Sequence, residues 1–404
     1  MSDAGSSFRV LIIGAGSAGL LVAQGLKKHG IRCTVFEQDA SLEARLRDWN
    51  FGIYWAQVPL DECLTDELSR LVQGAQVDSR ISTADDVMPI FNGASGEVMK
   101  IVPAPHNIRL QRRKFLRLIS TDVDVQYGKR LANIESDGKT AKAIFEDGSS
   151  ETGNLLIGAE GAHSKVRTFL LGPEKAALEM SPLVASVSMA RLPEETAVQF
   201  QKLHPRFCIA FHPNGYFSWI GVHDANEGSK PGDWTFMIIQ SWNSDQDPSK
   251  LSGPLILEDM KRRGKEFSEP FNTIYQSIPD GTPCWHNRLS SWSTEPWDNR
   301  NSTVTLAGDA AHPMTFHRGQ GLNNAIHDAA NLTRQLKEVR DTASTDAVAS
   351  AITAYEQELW QRGKEAVLAS NANSKSVHNW SELLQSPLFT AGLKQKIVRE
   401  EQNN

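Results

Sequence analysis

Three short runs, two of them wholly aliphatic and the third alternating with threonine, each lead straight into a glycine turn: residues 10–13 into Gly14-Ala-Gly-Ser-Ala-Gly19, residues 155–157 into Gly158-Ala-Glu-Gly-Ala-His-Ser-Lys-Val-Arg167, and residues 303–307 into Gly308-Asp-Ala-Ala-His-Pro313. Runs this short and aliphatic read as fully buried parallel strands. After the first turn, Ala18, Leu21, Val22, Gly25 and Leu26 recur at helical spacing and predict a helix that stops near Gly30; residues 33–36 then predict a second strand, closed by Glu37. Leu110, Phe115, Leu118 and Ile119 predict a helix over 110–119, and Leu322, Ala325, Ile326, Ala329, Leu332 and Leu336 predict a long amphipathic helix after the third turn. From about residue 180 to 290 the texture changes to alternating strands, at 183–192, 207–212, 216–222 and 234–242, which predict one antiparallel sheet. Residues 341–404 are polar and alanine-bearing with a helical pattern, and carry no legible chemistry.

The elements imply an α/β protein: a Rossmann-like domain, discontinuous over residues 1–75, 105–178 and 286–340, with an inserted antiparallel β-sheet substrate domain over 76–104 and 179–285 and a C-terminal helical segment over 341–404. A chain of 404 residues that is 40% hydrophobic and 22% charged can fill both cores. The net charge of −6 provides no basic field for nucleic acid or anionic lipid. No apolar stretch approaches the length of a membrane span, so a cytoplasmic protein is expected. The four cysteines, Cys33, Cys63, Cys208 and Cys284, lie far apart, and no pair has the spacing that grips a metal.

The first turn has the chemistry of a dinucleotide cradle. Gly14 permits the tight turn, Gly16 lets a pyrophosphate approach the backbone, Gly19 allows close packing of helix on strand, and the helix N-terminus beginning at Ser17 and Ala18 favours the phosphate charge. Glu37 stands about 20 residues further on, where ribose hydroxyls are recognised. Three such turns are more than one nicotinamide fold needs.

With these residues in place, the chain resembles the single-component flavin-dependent monooxygenases of the aromatic-hydroxylase type. The first unit is similar to that family's adenosine-diphosphate site, the turn at 158–167 to its second motif, and Gly308-Asp309 with His312-Pro313 and Gly319-Gln-Gly-Leu-Asn323 to its third. An Arg112-x-x-Phe115 element completes the match. The resemblance implies FAD as cofactor and NADPH or NADH as co-substrate. It implies that Asp309 receives ribityl or ribose hydroxyls, that backbone at Gly321, Leu322 and Asn323 lies near the flavin pyrimidine, and that Arg112 neutralises the pyrophosphate or braces the ring. His312 is expected to be a structural hydrogen-bonder. The chain departs from the pattern at Glu160, where the family has Asp, and the extra methylene puts the usual bonds to backbone and Arg167 in question.

In such enzymes reduced flavin and O₂ perform the oxidation, so the protein needs a water-poor cavity and groups that orient the substrate. Arg191, at the end of the apolar face of its strand, Tyr216, and Asp48 are the candidate substrate-side or catalytic residues. Six tryptophans, Trp219, Trp234, Trp242, Trp285, Trp292 and Trp297, fall in or just beyond the sheet region and suggest a wide aromatic wall. The expected partner is a bulky aromatic small molecule, an indole or polyketide product of the kind met by fungal natural-product monooxygenases, taken through hydroxylation or epoxidation. Baeyer–Villiger oxygenation, or FAD-dependent oxidation without oxygen insertion, is the alternative.

Overall fold

A computed structural model describes residues 8–339 and 344–390. Residues 341–343 and 391–404 of the expected C-terminal segment lie outside the described residues.

The three runs lie side by side in a five-stranded parallel sheet in the order Val304–Leu306, Leu155–Gly158, Arg9–Ile13, Arg32–Phe36, Val125–Gln126. Val10, Leu11, Ile12, Leu155, Leu156 and Ile157 are fully buried: the helix Ser17–Lys28 packs on the face of Ile12, and a three-stranded antiparallel sheet of Leu131–Ser136, Ala141–Phe145 and Ser150–Gly153 packs on the face of Leu11. The helix Ser17–Lys28 follows the first strand, and its chain reverses at Gly30, which has positive φ. Helix Gly321–Val339 follows the third strand.

The second layer is a seven-stranded sheet in the order Cys284–Ser291, Glu179–Arg191, Thr235–Asn243, Tyr216–Asp224, Phe207–His212, Val87–Asn92, Val98–Pro103. It is antiparallel except where Phe207–His212 runs parallel to Val87–Asn92. The expected boundary at residue 285 falls inside the strand Cys284–Ser291, which pairs with Glu179–Arg191. One face packs on the helices Glu194–Leu203, Pro254–Gly264 and Phe271–Gln276; the other turns toward the parallel sheet.

The expected helix over 110–119 begins later. Leu110 belongs to a strand, Ile108–Gln111, which pairs with Asn50–Ile53, and the helix is Arg112–Ile119. Pairing with Phe51 buries Leu110 completely, so tertiary strand formation overrides the helical spacing.

The C-terminal segment opens with a 33-residue helix, Thr345–Val377, tied to the parallel sheet by buried polar contacts, and continues through short turns at Leu383–Gln385 and Pro387–Thr390. The Tyr355 hydroxyl donates to the Leu306 carbonyl at 2.8 Å, and Glu356 accepts from Trp297 Nε1 at 2.9 Å and Thr305 Oγ1 at 2.7 Å.

Candidate functional site: a cleft between the two sheets

The three glycine turns converge. Gly14, at φ +105°, sits so close to the second turn that a Cβ there would lie 2.6 Å from the Ala159 carbonyl oxygen, and a Cβ on Gly308 would meet Ala18 at the same distance. Arg167 closes the set, donating to the carbonyl of Ala310 at 3.0 Å. Gly19 has the Gly14 carbonyl oxygen 2.0 Å from where its Cβ would be, so only glycine fits. Gly16 differs: the nearest atom to a Cβ there is 4.0 Å away, and the residue faces a cavity of about 930 Å³.

That cavity runs between the layers. Gly14, Gly16, Ser17, Ala18, Glu37, Asp48, Arg112, Asp309, Gly321 and Leu322 all contribute to its wall, so most of the predicted cofactor residues share one space. Glu37 braces the turn, accepting from Ala15 N at 2.8 Å and Asp39 N at 2.9 Å. Asp309 opens onto the cavity, and none of the hydrogen bonds among the described residues engages its carboxylate; the surrounding protein pushes its pKa up by desolvation. Arg112 lies over the Trp49 ring at 4.4 Å with no anionic partner among the described residues, and burial lowers its pKa. An unpaired cation, an unpaired carboxylate and a bare glycine on one wall meet the needs of a pyrophosphate, a polyol and a close backbone approach. The residues therefore fit FAD: Arg112 and the N-terminus of Ser17–Lys28 would hold its phosphates, Glu37 and Asp309 its hydroxyls, and the N-terminus of Gly321–Val339 its ring.

Asn323 is placed otherwise. Its side chain does not line the cavity; Oδ1 accepts from Tyr54 N at 2.9 Å while Nδ2 donates to Gly52 O at 3.0 Å and Gly319 O at 3.2 Å. It positions the turn from behind. Glu160 keeps the second motif intact despite its extra methylene. Oε1 accepts from Val166 N at 2.8 Å and Ser164 Oγ at 2.9 Å, and burial pushes its pKa up. Arg167 turns away to carbonyls and the Trp292 ring. His312 is fully buried, with Nε2 2.7 Å from Asp328 Oδ2, a structural position.

On the substrate side the candidates separate. Asp48 is buried in the cavity wall with Oδ2 3.2 Å from His223 Nε2 and Oδ1 unpartnered; burial raises its pKa, but the hydrogen bond and charge of His223 outweigh that and leave it lowered. Arg191 shares a strand face with the cavity-lining Ala185 and Val187, but it lies beyond the cavity and is exposed at the strand end. Tyr216 packs on the far side of the sheet, stacked on His212 with its hydroxyl 3.2 Å from Glu266. The structure thus brings neither Arg191 nor Tyr216 to the cleft. Strand ends and strand parity decide this.

The aromatic wall is also narrower than expected. Of the six tryptophans only Trp219 lines the cavity. Trp234 fills the far-side core, Trp242 stacks on Arg263, and Trp292 and Trp297 donate to Lys175 O and Glu356. The cleft face is instead mainly aliphatic and methionine, with Val187, Ile209, Met237 and Ile239 beside Phe207, Phe217 and Trp219. Sequence reasoning missed Tyr54 and Arg109, both in the wall. The alternation of Ile108, Arg109, Leu110 and Gln111 is a signal for Arg109, hidden by the helical reading; it carries none for Tyr54. It also missed Leu388, which the C-terminal segment contributes to the same wall.

The arrangement defines a flavoprotein, and comparison with known proteins agrees. The family model described as FAD binding domain matches residues 7–47 and 116–370. The chain is 61% identical over 388 residues to FAD-dependent monooxygenase cctM of Talaromyces islandicus, covering 96% of this chain and 97% of that one. It is 32% identical over 388 residues to FAD-dependent monooxygenase phnB of Penicillium herquei, at 95% and 94% coverage. In fold it is similar to Klebsiella pneumoniae HpxO, solved with FAD and uric acid, at TM-score 0.74, 20% identity and coverage of 97% and 94%. It is likewise similar to 2,6-dihydroxypyridine-3-hydroxylase of Arthrobacter nicotinovorans, at TM-score 0.74, 17% identity and coverage of 93% and 94%. The chain belongs to the FAD-binding-domain family and is an FAD-dependent monooxygenase. Among the described residues no helix is long and apolar enough to cross a membrane.

Proposed function

We propose that this monooxygenase inserts one oxygen atom into a bulky, flat aromatic, indole or polyketide natural product, by hydroxylation or epoxidation, with NADPH or NADH as the electron source. The observation that carries the reading is the continuity of one cavity from the glycine cradle to the apolar face of the seven-stranded sheet. Bound FAD supplies the chemistry, taking electrons from the nicotinamide and passing one atom of O₂ to the substrate. The chain supplies the place. Arg112 and two helix N-termini hold negative charge on the cofactor, and Asp309 anchors its hydroxyls. Val187, Met237 and Ile239 keep water from the reacting region, while Phe207 and Trp219 offer faces on which a flat ring can lie. Asp48, paired with His223, has a free carboxylate oxygen at the same wall and is suited to accept a hydrogen bond from substrate or cofactor.

The test is turnover by the purified flavin-loaded protein against a panel of aromatic and indole metabolites. Accelerated NADPH or NADH consumption with a product heavier by one oxygen supports the reading. A product lighter by two hydrogens overturns it in favour of simple oxidation, and an ester from a ketone overturns the hydroxylation outcome.

A further inference from the structure

Besides Arg112, another cation in the cleft wall, set against the apolar sheet face, has no counter-ion among the described residues. Arg109 is 5% exposed, on the strand Ile108–Gln111, and its guanidinium meets only neutral groups: Nη1 donates to Asn50 Oδ1 at 2.7 Å and Nη2 to the Tyr54 hydroxyl at 3.3 Å. It lies 4.5 Å from the centroid of Phe207 and 4.9 Å from that of Trp219, and Nε has no partner. Among the described residues no carboxylate bonds to it. The other fully buried arginines differ: Arg206 pairs with Asp86, and Arg167 is saturated by three carbonyls. Removing a guanidinium from water without an anion is costly, and two ring faces recover only part of that cost. The cavity that Arg109 and Tyr54 both border is where the missing charge can arrive.

We propose that Arg109, assisted by the Tyr54 hydroxyl, is the anchor for an anionic oxygen carried by the substrate's flat ring system. This rests on the aromatic reading above and deepens it from a purely apolar ligand to an acidic hydroxylated or carboxylated one. The planar fork of Arg109 suits such an oxygen, and Trp219 beside it offers a face to the attached ring. Asn50 holds the fork in place from behind: with Oδ1 accepting from Arg109, its Nδ2 faces His223 Nδ1 at 3.4 Å. His223 Nε2 in turn lies 3.2 Å from Asp48 Oδ2 and 3.3 Å from Gln111 Nε2, so Arg109 and Asp48 are linked through Asn50 and His223 rather than paired with each other.

The experiment uses the FAD-loaded full chain in its oxidised form, without nicotinamide, titrated calorimetrically with 2-hydroxy-1,4-naphthoquinone, which is an enolate at neutral pH, and with its O-methyl ether. The wild type is expected to bind the enolate about tenfold more tightly than the ether. In Arg109→Met that preference shrinks to about threefold or less while ether binding stays within about threefold, and Arg109→Lys restores part of it. A third ligand, 2-naphthoate, tells whether an enolate or a carboxylate is the better source of the anion. A flavin-loaded Arg109→Met that keeps the full preference overturns the proposal. So does a wild type that binds enolate and ether equally, which would leave the aromatic reading standing. If neither compound binds the wild type, both readings fall together. Should Arg109→Met not hold flavin, Tyr54→Phe decides: a preference lowered about threefold supports the anchor, and an unchanged one refutes it.

Discussion

The side-chain oxygen of Asn323 accepts the backbone N–H of Tyr54 at 2.9 Å, so the helix that opens the third glycine motif is fastened to the strand region that carries the substrate-side wall. The same side chain donates to Gly52 O and Gly319 O. Asn323→Ala leaves buried backbone groups without partners and is expected to cost about 2 to 4 kcal/mol. Thermal unfolding of the holoprotein measures the loss, and retained flavin absorbance should fall with it; an unchanged melting temperature would contradict the fastening role.

Asp309→Ala removes an unpaired carboxylate that faces the cleft. Nothing in the protein leans on that carboxylate, so apoprotein stability should stay within about 0.5 kcal/mol while FAD affinity drops about tenfold or more. Flavin absorbance after gel filtration and unfolding of the apoprotein read the two separately. Full occupancy in the variant would remove Asp309 from the site.

Gly14 and Gly16 are two residues apart and should respond oppositely. Gly14→Ala places a Cβ 2.6 Å from the Ala159 carbonyl oxygen at a positive φ, so it should destabilise the fold itself, by about 2 kcal/mol or more. Gly16 is the N-cap of Ser17–Lys28 with extended backbone and open space before it. Gly16→Ser should leave the apoprotein as stable as before, since serine is a good N-cap, yet fill the phosphate approach and weaken FAD binding about tenfold. Equal loss of stability in both variants would argue against this division.

His317 and His378 share the Ser241 hydroxyl, at 2.9 and 2.8 Å. Burial lowers His378 from 6.5 to about 4, and burial with the neighbouring His378 charge lowers His317 well below its usual value. Both are favoured neutral in the folded state, so their contribution is complete above pH 6.5 and is lost as pH falls toward 4. Each can add a slope of up to about 1.4 kcal/mol per pH unit in that window. His378→Gln should flatten the fall of the melting temperature between pH 6.5 and 4 relative to wild type. Parallel curves would show that the histidines are not its source.

The cysteines should be silent. Burial pushes the Cys33 and Cys63 thiols up to about 12 and Cys284 to about 11, with Cys208 higher still. Native protein at pH 8 should react with less than about one equivalent of a thiol reagent per chain, and denatured protein with all four residues. Rapid native labelling at any of them would contradict the raised thiol pKa values.

The local pattern of the chain determined the parts whose geometry is local. An aliphatic run, a glycine turn and an amphipathic helix specify one another through backbone freedom and burial, which is why Gly14, Gly16 and Glu37 could be read as a dinucleotide cradle before any fold was known, whereas the role of Asp309 came only with the family resemblance. Only tertiary structure decided what faces the substrate. Strand parity turned Tyr216 to the far side, strand length carried Arg191 past the cavity, and pairing with residues 50–53 made a strand of residues 108–111 and set Arg109 against Trp219. Side chains distant along the chain meet there through sheet packing, and a hydrophobic pattern records that a face is buried but not what it is buried against.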